Sequence, residues 1–151
     1  MPISLLSQIS WIALVAIFAL AIWRGEWPER FGAGFSILGA VVALVIHDFA
    51  PADIAPILLL AADALLAGAF LFLAVRYASL FLGAAMILQA GQFALHATYT
   101  AGELAPDRRY AIVNNLITLG IFLVILLATL ASWRARLAPP PELDTEPEVE
   151  A

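Results

Sequence analysis

The 47 residues from Ile54 to Thr100 contain one acid, Asp63, and one arginine, Arg76. As a single helix this stretch would measure roughly 70 Å, more than twice the ~30 Å hydrocarbon core of a bilayer. It must therefore fold back on itself. Arg76 and Tyr77 are the polar point near its middle, although neither Gly nor Pro marks the break. Two spans in a tight antiparallel hairpin are predicted, over residues 54–75 and 79–100.

A bilayer crossing takes about 20 apolar residues. The same criterion predicts three further spans, over residues 3–23, 31–49 and 111–133. "RGEWPER", residues 24–30, holds four charges and Pro28, and is read as the first turn between spans. Pro51 and Pro56 flank the second break, and Pro56 falls in a first helical turn, where a missing N–H costs nothing. "AGELAPDRR", residues 101–109, separates the last two spans. The expected fold is an all-α membrane domain over residues 1–136, five transmembrane helices in a bundle. Residues 137–151, with Pro139–Pro141 and an acidic run, are read as a disordered tail.

Composition agrees. Hydrophobic residues are 64%, charged residues 13%, and the mean hydropathy is +0.97, whereas soluble domains are about half apolar and about a quarter charged. The net charge of −5 comes from the tail, since Glu142, Asp144, Glu146, Glu148 and Glu150 leave seven acids against seven arginines elsewhere. There is no basic patch for nucleic acid. With no cysteine, disulfides, thiolate catalysis and thiolate-bound metals are excluded; with no lysine, so are Schiff bases and phosphate-loop lysines.

Arginine placement sets the orientation. "MPISLLSQ" lacks the positive start of a signal peptide, so the first span is kept. Arg24, Arg30, Arg76, Arg134 and Arg136 then fall on one side, Arg108 and Arg109 on the other. The richer side is expected to be cytoplasmic, which puts the N-terminus outside and the C-terminus inside. Trp23, Trp27, Tyr77 and Trp133 would form the inner aromatic belt, and Tyr99 and Tyr110 the outer one. Small residues recur four apart: Gly32, Ser36 and Ala40; Ala64 and Gly68; Ala90, Ala94 and Thr98; Ala128 and Ser132. Such ladders let helices approach closely, within one chain or between chains.

The polar residues of the spans are the candidate site. Gln89, Gln92, His96 and Tyr99 fall on one stripe of the fourth span, and Asn114, Asn115 and Thr118 on a stripe of the fifth. His47 and Asp48 end the second span, and Asp63 lies near the centre of the third. Counting rise per residue puts His47, His96 and Asn114 about 10 Å from the midplane on the outer side, with Asp63 and Gln89 near the midplane. One reading is interhelical hydrogen bonding at about 0.6 kcal/mol per contact. The other is a functional site, because an ionisable group inside a span is costly and tends to mark a pathway. Asp63 is expected to face the bundle interior, protonated, and bonded to Gln89 or His96. His47 and His96, at similar depth, also raise a bis-histidine haem b, with Arg108 and Arg109 the sole basic partners for propionates, although no cofactor is expected. A metal on His47, Asp48 and His96 has no better support, and no Ser-His-Asp arrangement is readable.

The Pro28-Glu29-Arg30 string after the first span and the late-span His96 resemble a group of small multi-span proteins of alphaproteobacteria. The resemblance covers Trp23 to about Trp133. That group carries no assigned activity, so the resemblance implies a multi-pass protein of a bacterial inner membrane and no mechanism. In the string itself Glu29 suits a helix N-terminus, and Arg24 with Glu26 and Glu29 with Arg30 are expected to neutralise each other. The expected role is a non-enzymatic accessory, scaffold or assembly partner of a membrane complex, or a homo-oligomer. The alternatives are a small transporter or proton-conducting protein using Asp63, His96 and Gln89, and a haem carrier.

Overall fold

The computed structural model describes residues 5–138. They form five α-helices: α1 (Leu5–Arg24), α2 (Trp27–Phe49), α3 (Ala55–Arg76), α4 (Leu80–Ala101) and α5 (Arg108–Leu137). Each packs on its neighbour in sequence, and α1 closes against α5, so the helices make a ring, antiparallel at every step except the parallel α1–α5 pair, with α2 and α5 touching across it. Helices α2 to α5 are long and apolar enough to cross a membrane. The segment Ile12–Arg24 of α1 is apolar but shorter.

Two helix starts lie earlier than hydropathy suggests, and the reason is capping. Helix α2 begins at Trp27, four residues before the predicted 31, with Pro28 in its first turn. Glu29 Oε2 accepts from the Glu26 backbone N–H at 2.8 Å, satisfying a donor that the helix start leaves open. Pro28 therefore opens the helix rather than separating two. Helix α5 begins at Arg108, not 111, because Asp107 Oδ1 accepts from the Tyr110 N–H at 2.8 Å. It also runs past 133 to Leu137, a residue assigned above to the tail. At 30 residues, or about 45 Å, it exceeds the apolar core and carries its arginines on its ends. The rest of the predicted tail, residues 139–151, and residues 3–4 of the first predicted span lie outside the described residues.

The hairpin between α3 and α4 turns where expected, through residues 77–79. Ala78 takes a left-handed φ of 49°, with its N–H on Val75 O and the Ser79 N–H on Ala74 O. This is a helix stop usually made by glycine. Glu103, at φ 50°, closes α4 the same way, with its N–H on Thr100 O and the Leu104 N–H on Tyr99 O.

Helix direction places Arg24, Arg30, Arg76, Arg134 and Arg136 at one end of the ring. The half of the bundle toward that end is packed and apolar, around Ala21, Ala33, Phe70, Leu73, Leu82, Ala85, Ile121 and Ile125. Gly32 makes a close approach there: a Cβ would lie 3.1 Å from Leu82 Cδ2. Ser36 and Thr129 are buried with their hydroxyls donated to Gly32 O and Ile125 O at 2.9 Å. The expected ion pairs among the arginines and glutamates do not form. Glu29 is buried, and its Oε1 accepts from Ser132 Oγ at 2.9 Å, joining α2 to α5. Arg30 Nε donates to Gly25 O at 3.0 Å, and Arg136 donates to Arg24 O. Arg24 lies over the Trp23 and Trp133 rings at 4.2 and 4.8 Å. The Arg24 Nε is buried without a hydrogen-bond partner between these rings, whereas the glutamate drawn inside has a fixed donor.

The ladders of small residues divide. Gly32, Ser36 and Ala128 are buried between helices of this chain. Ala64, Gly68, Ala90, Ala94 and Thr98 are exposed on the outside of α3 and α4.

Candidate functional site

Toward the end opposite the five arginines the helices separate around a cavity of about 410 Å³. All five helices line it, α1 through Leu14 alone. His47, Asp63, Gln89, Gln92, His96, Asn114 and Asn115, the residues singled out in the sequence, all reach its wall. Ser36, Tyr110 and Thr118 join them.

Asp63 is the centre of the polar contacts. It sits two turns into α3, buried at 8% exposure, with Gln89 at 2% and His96 at 9%. Gln89 and His96 are two turns apart on one face of α4, so they bracket the carboxylate. Oδ1 accepts from Gln89 Nε2 at 3.1 Å, and Oδ2 meets His96 Nδ1. Both partners expected from the sequence are engaged at once. Among the described residues, Asp63 and His96 are the one pair of opposite ionisable groups in contact. Each oxygen faces a nitrogen, so the carboxyl group is engaged on both sides by α4. The contact also orients the imidazole and leaves Nε2 as its uncommitted nitrogen.

Tyr99 and Tyr110 lie together at the end of the bundle opposite the five arginines. Tyr110 stacks on His96, with ring centroids 5.5 Å apart at 27°, and Tyr99 packs on Tyr110 at 4.9 Å. The Asp107 cap ties the two tyrosines together. Its Oδ1 accepts from the Tyr99 hydroxyl as well as the Tyr110 N–H, both at 2.8 Å. These two donors, the backbone N–H first, hold the Asp107 carboxyl below the usual carboxylate range. Tyr110, missed in the sequence, was signalled there: Tyr110, Asn114 and Thr118 follow at intervals of four on one face of α5.

The remaining candidates differ in state. Asn114 Oδ1 is buried and has no hydrogen-bond partner. Interhelical bonding accounts for Gln89 but not for Asn114. His47 lies exposed in the last turn of α2 and reaches the rim of the cavity, while Asp48 is exposed and is not part of the wall. Among the described residues no three His, Asp or Glu side chains converge as metal ligands. The chain matches no protein-family model, curated protein or solved structure.

Proposed function

We propose that this chain is a five-span protein of a bacterial inner membrane, N-terminus outside, that works as a small proton-linked transporter. The central cavity binds the solute, and the Asp63–His96 pair takes up and releases the proton. One observation carries this: a buried carboxylate–imidazole pair on the wall of a cavity that Gln92, Asn115 and Thr118 also line. A bundle that used its polar groups solely as fastening would pair them with each other. Here Asp63 has two partners and Asn114 Oδ1 none, with open space between the helices. The five-to-two division of arginines supports the orientation, which makes the cavity end the outer one.

The test uses proteoliposomes on a solid-supported membrane. A pH jump should displace charge in the wild type and not in Asp63→Asn of equal yield and monodispersity. Equal displacements, or none in either protein, overturn the proposal. The same preparation tests a bis-histidine haem, because a Soret band would assign His47 and His96 to an electron carrier.

The accessory reading keeps one observation of its own, the small residues Ala64, Gly68, Ala90, Ala94 and Thr98 on the outside of α3 and α4. A second copy or another membrane protein would pack there closely. Purification in mild detergent with a stoichiometric partner, lost on Gly68→Leu, would favour it.

A further inference from the structure

The two members of the buried pair differ in what they border. A second cavity, of about 440 Å³, lies at the acidic end of the bundle. Asp53 and Pro56, near the start of α3, and Tyr99, Thr100 and Glu103, near the end of α4, help to wall it. His96 and Tyr110 line both this outer cavity and the inner one, whereas Asp63 lines the inner one alone. From the acidic end toward Asp63, the imidazole therefore comes first.

The two ring nitrogens of His96 have different surroundings. Nδ1 meets Asp63 Oδ2. Nε2 has no hydrogen-bond partner among the described residues, yet it is not one of the fully covered side-chain atoms left without a partner, which are Arg24 Nε, Asn114 Oδ1 and Trp133 Nε1. It therefore keeps accessible surface. Stacking on Tyr110, with centroids 5.5 Å apart, limits how far the ring can swing from this position. The other titratable groups around the pair are Tyr110 of α5, His47 of α2 on the inner wall, and Tyr99, Asp53 and Glu103 on the outer wall. None of them is hydrogen-bonded to Asp63, whose partners are Gln89 and His96. An amide does not carry a proton at ordinary pH, so the imidazole is the one titratable group bonded to this carboxyl.

We infer that His96 carries the proton between the outer cavity and Asp63, and that Asp63 is the group that holds it. In uptake, Nε2 takes a proton from water in the outer cavity, and the resulting imidazolium passes its Nδ1 proton to Asp63 Oδ2. The ring is left neutral with its proton on Nε2, and the carboxylate has become a carboxylic acid. Release to the same side is the reverse of these two transfers. This rests on the proposed function in one respect, that the pair exchanges a proton.

The test is the charge displaced by the full-length protein in proteoliposomes after a pH jump, read as a rate and as an extent. His96→Asn puts an amide close to where Nδ1 stood, so it can still donate to Asp63 but cannot carry a proton. It should keep the wild-type extent and slow the displacement about a hundredfold. Imidazole in solution should restore the rate, because the shorter side chain lets it reach the carboxyl group from the outer cavity. Asp63→Asn should displace no charge with or without imidazole, which gives the background of the buffer. The chain has no cysteine, so Thr100→Cys places a single thiol on the outer wall. A bulky methanethiosulfonate attached there before reconstitution should slow the displacement severalfold. The same reagent on Ala135→Cys, exposed at the arginine end, should leave it unchanged.

A wild-type rate in His96→Asn overturns the inference. So does a slow or missing displacement that imidazole leaves unchanged, since the ring would then act through packing. If His96→Asn does not fold, the labelled Thr100→Cys decides: a rate that is unchanged, or slowed no more than by the label on Ala135→Cys, overturns the outer route. Any of these results beside displacement in the wild type and none in Asp63→Asn removes this inference and leaves the proposed function. No displacement in the wild type removes both.

Discussion

The arginine end and the acidic end of the bundle are built from the same helices but filled by different means. At the arginine end Phe70, Leu82 and Ile125 meet around Gly32, each almost without exposure. Several polar groups there are satisfied locally, Ser36 and Thr129 by their own helices and Glu29 by Ser132, while Arg24 Nε and Trp133 Nε1 are buried without a hydrogen-bond partner. At the acidic end polar side chains from α2 to α5 join the apolar ones, space remains between the helices, and the buried acceptor Asn114 Oδ1 has no partner. The first arrangement fixes the geometry of the ring; the second leaves a place that something else can occupy. Stability thus rests on one half and the proposed binding on the other, and substitutions should separate them.

The largest effect is expected in the dry half. Phe70→Ala removes a ring with 0% exposure, and the cavity left behind should cost about 3–5 kcal/mol in reversible unfolding in detergent. A loss under 1 kcal/mol would mean that the half is not tightly packed. Asp63→Leu should cost about 2–3 kcal/mol, because Gln89 Nε2 and His96 Nδ1 lose their acceptor together. Asp63→Asn keeps the shape and should cost less than about 1 kcal/mol while abolishing charge displacement. If Asp63→Leu were silent, the polar half would have no part in holding α3 to α4.

Asn114→Leu sharpens the contrast because its sign is opposite. Removing a buried acceptor that has no partner should stabilise the fold by about 1 kcal/mol in the same unfolding measurement. Destabilisation would show that Asn114 is paired after all. Ala78→Gly, in the turn closing the dry half, should raise stability by about 0.5 kcal/mol, since glycine takes the left-handed conformation without the steric penalty but loses more entropy. The smallest effect concerns Asp107 at the acidic end. Its folded pKa is depressed, so its contribution is fully present above the unfolded value, about 4, and is lost as the pH falls through the folded value. Stability measured between pH 6 and pH 3 should therefore fall a little more steeply in the wild type than in Asp107→Ala, and parallel curves would remove the cap from the account.

The candidate site was legible because polar residues in an apolar span are few, and their spacing fixes which of them share a face. Gln89, Gln92 and His96 were a stripe on paper and are a wall in the structure. The partners of Asp63 could be named in advance because few groups at its depth can accept or donate. The facing of the apolar and small residues could not be read. Ala64 and Gly68 look like Gly32 and Ser36 in sequence, yet one pair is outside and the other buried. In a chain that crosses a membrane, lipid is as apolar as a neighbouring helix, so hydrophobic periodicity does not say which side is in. Glu29 reads as suiting a helix N-terminus and does sit in the capping box of α2; the start of that helix at Trp27, before Pro28, was not legible, because a proline among charges looks like a loop.

By itself the sequence determined the all-helical class, the positions of the apolar helices to within four residues at each end, the hairpin at Arg76 and Tyr77, and the polar stripes, because these follow from length, hydropathy and helical period. Tertiary structure decided how the stripes meet. It joined Asp63 to residues 26 and 33 positions away, turned Tyr110 onto His96, left Asn114 without a partner, and set two cavities on either side of one pair of rings. Those outcomes depend on how each helix is rotated about its axis, and rotation is set by packing against neighbours that no single span encodes.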